Sequence, residues 1–263
     1  MISQLISNNI SGILLKITTK IITMSRSAPY QPLLLKILHG VSGFLAIAAI
    51  ITGFLVYNTF DGRFGKLPIP RIGESIDIHG TFAVFFFFVF PALALYSFHA
   101  GNRKLLQQDS LQNLTQFGRP IWWVSLQRIA NTLMLIAAVL AVLSGRMMKE
   151  EWLPTGELNH AWYYLHLIGW LVIVACLAIH ILMSSKVGGV PLLLSIFSWQ
   201  VRPEDSPTKW PSRLQNWLSN LSANVGDEIN NFVQNNFPLR VIEIIVLVGI
   251  FAALVLPLFF SGE

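Results

Sequence analysis

A single cysteine, Cys176, in a chain of 263 residues excludes a disulfide framework, a four-cysteine zinc or iron–sulfur centre, and covalent haem attachment through CxxCH. Lying in an apolar run, Cys176 reads as a small core residue. Charge is scarce too: 12% of residues are charged, about half the share of a soluble domain. There is no glycine-rich phosphate loop, no GxSxG elbow and no HExxH pair, so nucleotide-driven and common hydrolytic chemistries have no foothold. Acidic residues are outnumbered, 13 to 18, for a net charge of +5. That excess is better explained by membrane topology than by nucleic acid, which is not an expected partner.

What the chain has in quantity is apolar sequence: 54% of residues and a mean hydropathy of +0.60. A bilayer core needs about 20 apolar residues per helix. Five segments meet that length, near 33–57, 76–98, 121–143, 162–183 and 241–260. Trp122, Trp123, Trp162, Tyr163 and Tyr164 gather at span ends, where amphipathic rings favour the headgroup level. Pro91 is expected to kink the second span without ending it. With the N-terminus inside, thirteen Lys and Arg fall on the inner side and five on the other. The positive-inside rule then puts the N-terminus in the cytoplasm and the C-terminus on the opposite side.

Six histidines lie in or beside the spans: His39, His79, His99, His160, His166 and His180. Ionisable groups inside a bilayer are costly and are functional candidates by default. His166 and His180 are 14 residues apart, about 21 Å along one helix and within about 40° of one face. A b-type haem needs one ligand from each side of its plane, so each of these needs a partner at matching depth on another helix. His39, near the inner end of the first span, matches His180. His79, near the outer end of the second, matches His166. His99 is turned about 200° from His79, and His160 about 200° from His180, which leaves them outside the set. His99 is instead expected to bond a haem propionate or a quinone headgroup.

The four remaining histidines are the expected metal ligands of two haem b groups. Gly43 and Gly53, on the His39 face, would let a flat ring approach the backbone, as small residues admit neighbours in membrane helices. Lys36, one turn before His39, and Arg128, deep in the third span, are expected to meet inner propionates or a quinone. Arg71 or Arg146 would serve on the outer side. A lone membrane histidine is most often an interhelical hydrogen-bonder, but four that pair by depth resist that reading. Glu243, early in the fifth span, is expected to snorkel to the interface, and the run Phe85–Phe88 to pack or face lipid.

LLKILHGVSG and ITGF in the first span, DIHGTFAVF in the second and HLIGWLVIVACLAIHILMSSK in the fourth resemble the di-haem cytochrome b superfamily. That group takes in bacterial cytochrome b561, the b-type subunit of nickel–iron hydrogenases and the gamma subunit of formate dehydrogenase. Arg128 and the pair Ser144–Gly145 also resemble it, and the likeness covers about residues 30–190. It implies the same ligand pairs, His39 with His180 and His79 with His166. Gly40 departs from the pattern, since many relatives carry tryptophan after the first histidine. The loop RFGKLPIPRIGESIDIHG and the run VGGVPLLLSIF are similar to cyanobacterial members, which implies a plasma or thylakoid membrane.

The expected fold is all-α: a four-helix haem-binding membrane bundle with one added C-terminal transmembrane helix. Its divisions are an N-terminal segment at 1–30, a haem domain at 31–190, an amphipathic linker at 191–238 and the last helix at 239–263. Weak apolar periodicity in 1–24 suggests a surface helix, and Met24 offers an alternative start. The expected function is one-electron relay across or within the membrane, with the bilayer, a quinone and a redox protein as partners. The alternatives are a b-type anchor subunit docked to a soluble dehydrogenase or hydrogenase through 187–238, or a haem-free scaffold or transporter. No side chain is singled out for acid–base catalysis on a substrate.

Overall fold

The computed structural model describes residues 29–223 and 236–260, and every regular element among them is helical. The periodic segment at 1–24, Met24 and the middle of the linker lie outside the described residues. The long helices are α1 (Leu33–Phe60), α2 (Ser75–His99), α3 (Pro120–Met147), α4 (Ala161–Ser195), the amphipathic α5 (Trp210–Ala223) and α6 (Phe237–Phe260). All but α5 are long and apolar enough to cross a membrane, and the protein is an integral membrane helical bundle.

Local sequence sets the helix ends. Pro32 precedes α1, and Pro120 opens α3 behind an extended Arg119, a first-turn site where the missing N–H costs nothing. Asp77 sits in the first turn of α2, where a carboxylate suits the positive end of the helix. The helix runs on through Pro91. The fourth span is longer than expected because α4 continues past Met183 to a break at Gly189, whose φ of 67° is left-handed, followed by Pro191. Glycine adopts that conformation without the Cβ penalty other residues pay.

Two tight helical hairpins make up the bundle, α1 against α2 and α3 against α4. In the second hairpin Gly169 lets α4 close on Ala141, whose backbone N would lie 3.2 Å from an added Cβ. Between the hairpins the packing is different: neither α1 nor α2 is closely packed on α4, and α2 barely meets α3. Polar and aromatic contacts join the hairpins at the ends and middle. On the side where α1 ends, the Tyr163 hydroxyl donates to Asp61 Oδ2 at 2.7 Å, and Arg63 bridges Asp61 (2.8 Å) and the Tyr164 hydroxyl (2.9 Å). The Asp61 hydrogen bond pushes the Arg63 guanidinium above its ordinary pKa. On the side where α1 begins, Gln31 Nε2 donates to Ser195 Oγ at 3.3 Å, Tyr30 donates to Asp205 and Lys36 Nζ donates to the Gln200 carbonyl at 2.8 Å. Midway, Trp170 Nε1 donates to the Ile50 carbonyl at 3.1 Å and its ring stacks on Phe54.

Helix α6 closes onto the bundle along α3 and, less extensively, α2. Val246, Leu239, Phe90, Ala94, Phe98, Leu135 and Val139 form the main apolar core there. Gly249 is essential to that approach, since a Cβ on it would lie 2.2 Å from Val139 Cγ1. Glu243 does not snorkel to the interface. Its side chain is 4% exposed, accepts from Arg240 Nη1 at 2.7 Å and lies 3.6 Å from His99 Nε2. The reason is the face it shares: Leu239, Glu243 and Val246 lie one turn apart on the side of α6 buried in the bundle.

Candidate haem-binding site

The space left between the hairpins is lined by the four intramembrane histidines. His39 from α1 faces His180 from α4 with ring centroids 6.0 Å apart. His79 from α2 faces His166 from α4 with centroids 5.9 Å apart. Each pair therefore takes one imidazole from each hairpin, and all four rings are half-buried. One pair lies toward the side where α1 begins, which carries most of the lysines and arginines; the other lies toward the opposite side.

These separations suit a metal held between two imidazoles. Two metal–nitrogen bonds of about 2.0 Å, plus about 1.1 Å from each ring centre to its nitrogen, span about 6 Å. The hydrogen bonds at the far ring nitrogens are the second requirement, because a ligand histidine normally donates its other N–H to a fixed acceptor. His166 Nδ1 donates to the Ala141 carbonyl at 2.9 Å and lies 3.2 Å from Ser144 Oγ. His79 Nδ1 lies 3.3 Å from Thr52 Oγ1. His180 Nδ1 donates to Asn131 Oδ1 at 2.7 Å. In each case Nδ1 carries the proton and Nε2 keeps the lone pair for a metal.

The opposite-side pair is built twice on one plan. Thr52–Gly53 in α1 supports His79 of α2, and Ser144–Gly145 in α3 supports His166 of α4. Both hydroxyls donate to the carbonyl four residues back, Thr52 to Ala48 at 2.7 Å and Ser144 to Leu140 at 2.6 Å, leaving an oxygen lone pair toward the imidazole. A Cβ on Gly53 would meet His79 Cε1 at 3.1 Å, and one on Gly145 would meet His166 Cε1 at 3.1 Å. Gly43 has nothing within 4 Å of an added Cβ, so open space lies beside α1 one turn from His39.

The cations have partners of their own. Besides its bond to Gln200, the Lys36 ammonium lies 5.0 Å from the Tyr30 ring centre. Arg128 Nε donates to the Arg103 carbonyl at 3.1 Å, holding the turn after α2. His99 and His160 lie outside both pairs: His99 Nδ1 donates to the Leu95 carbonyl at 3.0 Å, and His160 stacks on Trp152 at 3.7 Å. Sequence reasoning missed Asn131, Thr52, Trp170 and Asp61. Of these, Thr52 had a visible signal, a hydroxyl residue before a glycine, as in Ser144–Gly145.

No curated protein and no solved structure matches the chain. Residues 30–199, which hold both hairpins and all four paired histidines, match the prokaryotic cytochrome b561 family. This chain belongs to the prokaryotic cytochrome b561 family, membrane proteins that bind b-type haem and transfer electrons.

Proposed function

We propose that the protein is a di-haem relay for single electrons, with His39 and His180 holding one haem and His79 and His166 the other. The observation that carries this reading is the pair of facing imidazoles at each depth, 6.0 and 5.9 Å apart, in a space the hairpin backbones leave open. A b-type haem held between each pair of histidines would supply one-electron Fe(II)/Fe(III) chemistry. His166 and His180 lie 14 residues apart along α4, about 21 Å, so the two groups they would hold lie toward opposite membrane surfaces.

The chain's own residues bind, orient and enclose. Ala141, Ser144, Thr52 and Asn131 fix which nitrogen of His166, His79 and His180 faces the gap. Trp170 and Phe54 pack across the gap between the hairpins. The Asp61, Arg63, Tyr163 and Tyr164 contacts close the opposite-side end. We place the basic side in the cytoplasm and take a quinone as the mobile partner there. His99, with Glu243 3.6 Å away, is an imidazole–carboxylate pair suited to exchanging its proton.

A second reading, a haem-bearing anchor subunit for a soluble redox enzyme, is favoured by one feature. Phe197 and Trp199 are 72% and 94% exposed, and Leu214 and Leu218 of α5 are exposed as well. Co-purification of a soluble redox subunit would select it. For the relay, the test is the dithionite-reduced spectrum with a pyridine haemochromogen assay. Sharp b-type bands and two haems per chain are expected. One haem per chain would remove one histidine pair, and the absence of b-type bands would end the proposal.

A further inference from the structure

The two histidine pairs are not held alike. On the opposite side, His166 donates to the main-chain carbonyl of Ala141 at 2.9 Å, and His79 Nδ1 lies 3.3 Å from the Thr52 hydroxyl, each on a neighbouring helix. On the basic side the acceptor for His180 is a side-chain amide, Asn131 Oδ1, at 2.7 Å. Asn131 is itself fixed at its other end, where Nδ2 donates to the Lys104 carbonyl at 2.9 Å. The turn containing Lys104 is held from the same stretch of α3, because Arg128 Nε donates to the Arg103 carbonyl and Thr132 Oγ1 accepts from the Leu106 N–H at 2.9 Å. An amide whose Nδ2 is committed to a carbonyl cannot flip its oxygen away from His180 without losing both bonds.

We propose that Asn131 is a positioning residue for the basic-side haem: it fixes the tautomer and plane of His180 and sets the basicity of that ligand, tying it to the turn after α2. The inference rests on the di-haem reading above. An acceptor on Nδ1–H raises the basicity of the coordinating nitrogen, which favours the ferric state and lowers the midpoint potential of that haem alone. The opposite-side haem, ligated through residues that do not touch Asn131, is an internal control.

The test is a potentiometric titration of the purified full chain carrying Asn131→Leu or Asn131→Asp. The His180→Ala variant identifies which component belongs to the basic side. Both substitutions lose the bond to Lys104, but Asp keeps an acceptor toward His180 and strengthens it by charge. With Leu, the basic-side midpoint is expected to rise by about 59 mV or more, a tenfold change for one electron, and haem retention there to weaken about 10–100-fold. With Asp, that midpoint is expected to fall and retention to stay near the parent's. The opposite-side midpoint should not move in either variant. Unchanged basic-side midpoints, shifts of one sign in both variants, or equal shifts of both haems would overturn the role of Asn131 while leaving the di-haem reading intact. Absence of b-type bands in the parent protein would remove the di-haem reading itself.

Discussion

Gly145→Ala adds one methyl group where the structure leaves no room for it. The new Cβ would sit 3.1 Å from His166 Cε1 and 3.3 Å from Nδ1, against a comfortable carbon–carbon contact of about 3.5–4.0 Å. The ring cannot simply back away, because Nδ1 is bonded to the Ala141 carbonyl at 2.9 Å. It must tilt, giving up that bond or its alignment with His79. Overpacking of this kind costs about 1–3 kcal/mol, which corresponds to about 5–150-fold weaker retention of the opposite-side haem. Gly53→Ala makes the same intrusion on His79, at 3.1 Å, and is expected to weaken the same haem from its other face. Gly40→Ala is the control: Gly40 is exposed beside His39, and nothing lies within 4 Å of its added Cβ. The assay is haem per chain by pyridine haemochromogen, with redox titration to say which component is depleted. Loss of the basic-side haem, or equal loss of both, in Gly145→Ala would refute the steric reasoning, as would full retention of both haems.

Three more outcomes follow from the geometry. His39→Ala and His180→Ala should each lose one and the same haem, and His79→Ala and His166→Ala the other; difference spectra of the four variants check this, and any crossing between the sets contradicts the pairing. Lys36→Met removes the 2.8 Å bond to the Gln200 carbonyl and should speed proteolytic cleavage near residues 200–206 without changing haem content; a depleted basic-side haem would instead show that Lys36 serves the haem. Gly249→Leu drives side-chain atoms into Val139, whose Cγ1 already lies 2.2 Å from the position of a Cβ. The clash should destabilise the seating of α6 by about 1–3 kcal/mol or more, read as a lower melting temperature in detergent with the spectrum below the transition unchanged.

The number of spans, their rough limits and the four paired histidines are all legible in the sequence. Each depends only on local regularities: about 20 apolar residues to cross a bilayer, and a fixed rise and turn per residue that converts spacing into depth and facing. Gly53 is legible in the same way, since 14 residues from His39 bring it to the same face near the other end of α1. Glu243 is where such reasoning failed. Its position near the start of a span suggests snorkelling, but the face it occupies is buried against α2 and α3, and no local rule says which face of α6 the bundle covers.

Tertiary structure alone decided what each paired histidine leans on. That His180 relies on Asn131, 49 positions away, while His166 uses a main-chain carbonyl, depends on how α3 and α4 are rotated against each other, a relation no periodicity within one helix encodes. The same holds for Lys36, whose ammonium is claimed by Gln200 because the chain returns there after α4. Sequence by itself determined a membrane bundle with histidines at two depths, because helix geometry is a property of the local backbone. Structure decided that the hairpins stand apart while their ends are tied, because that spacing is a compromise among contacts from four helices at once.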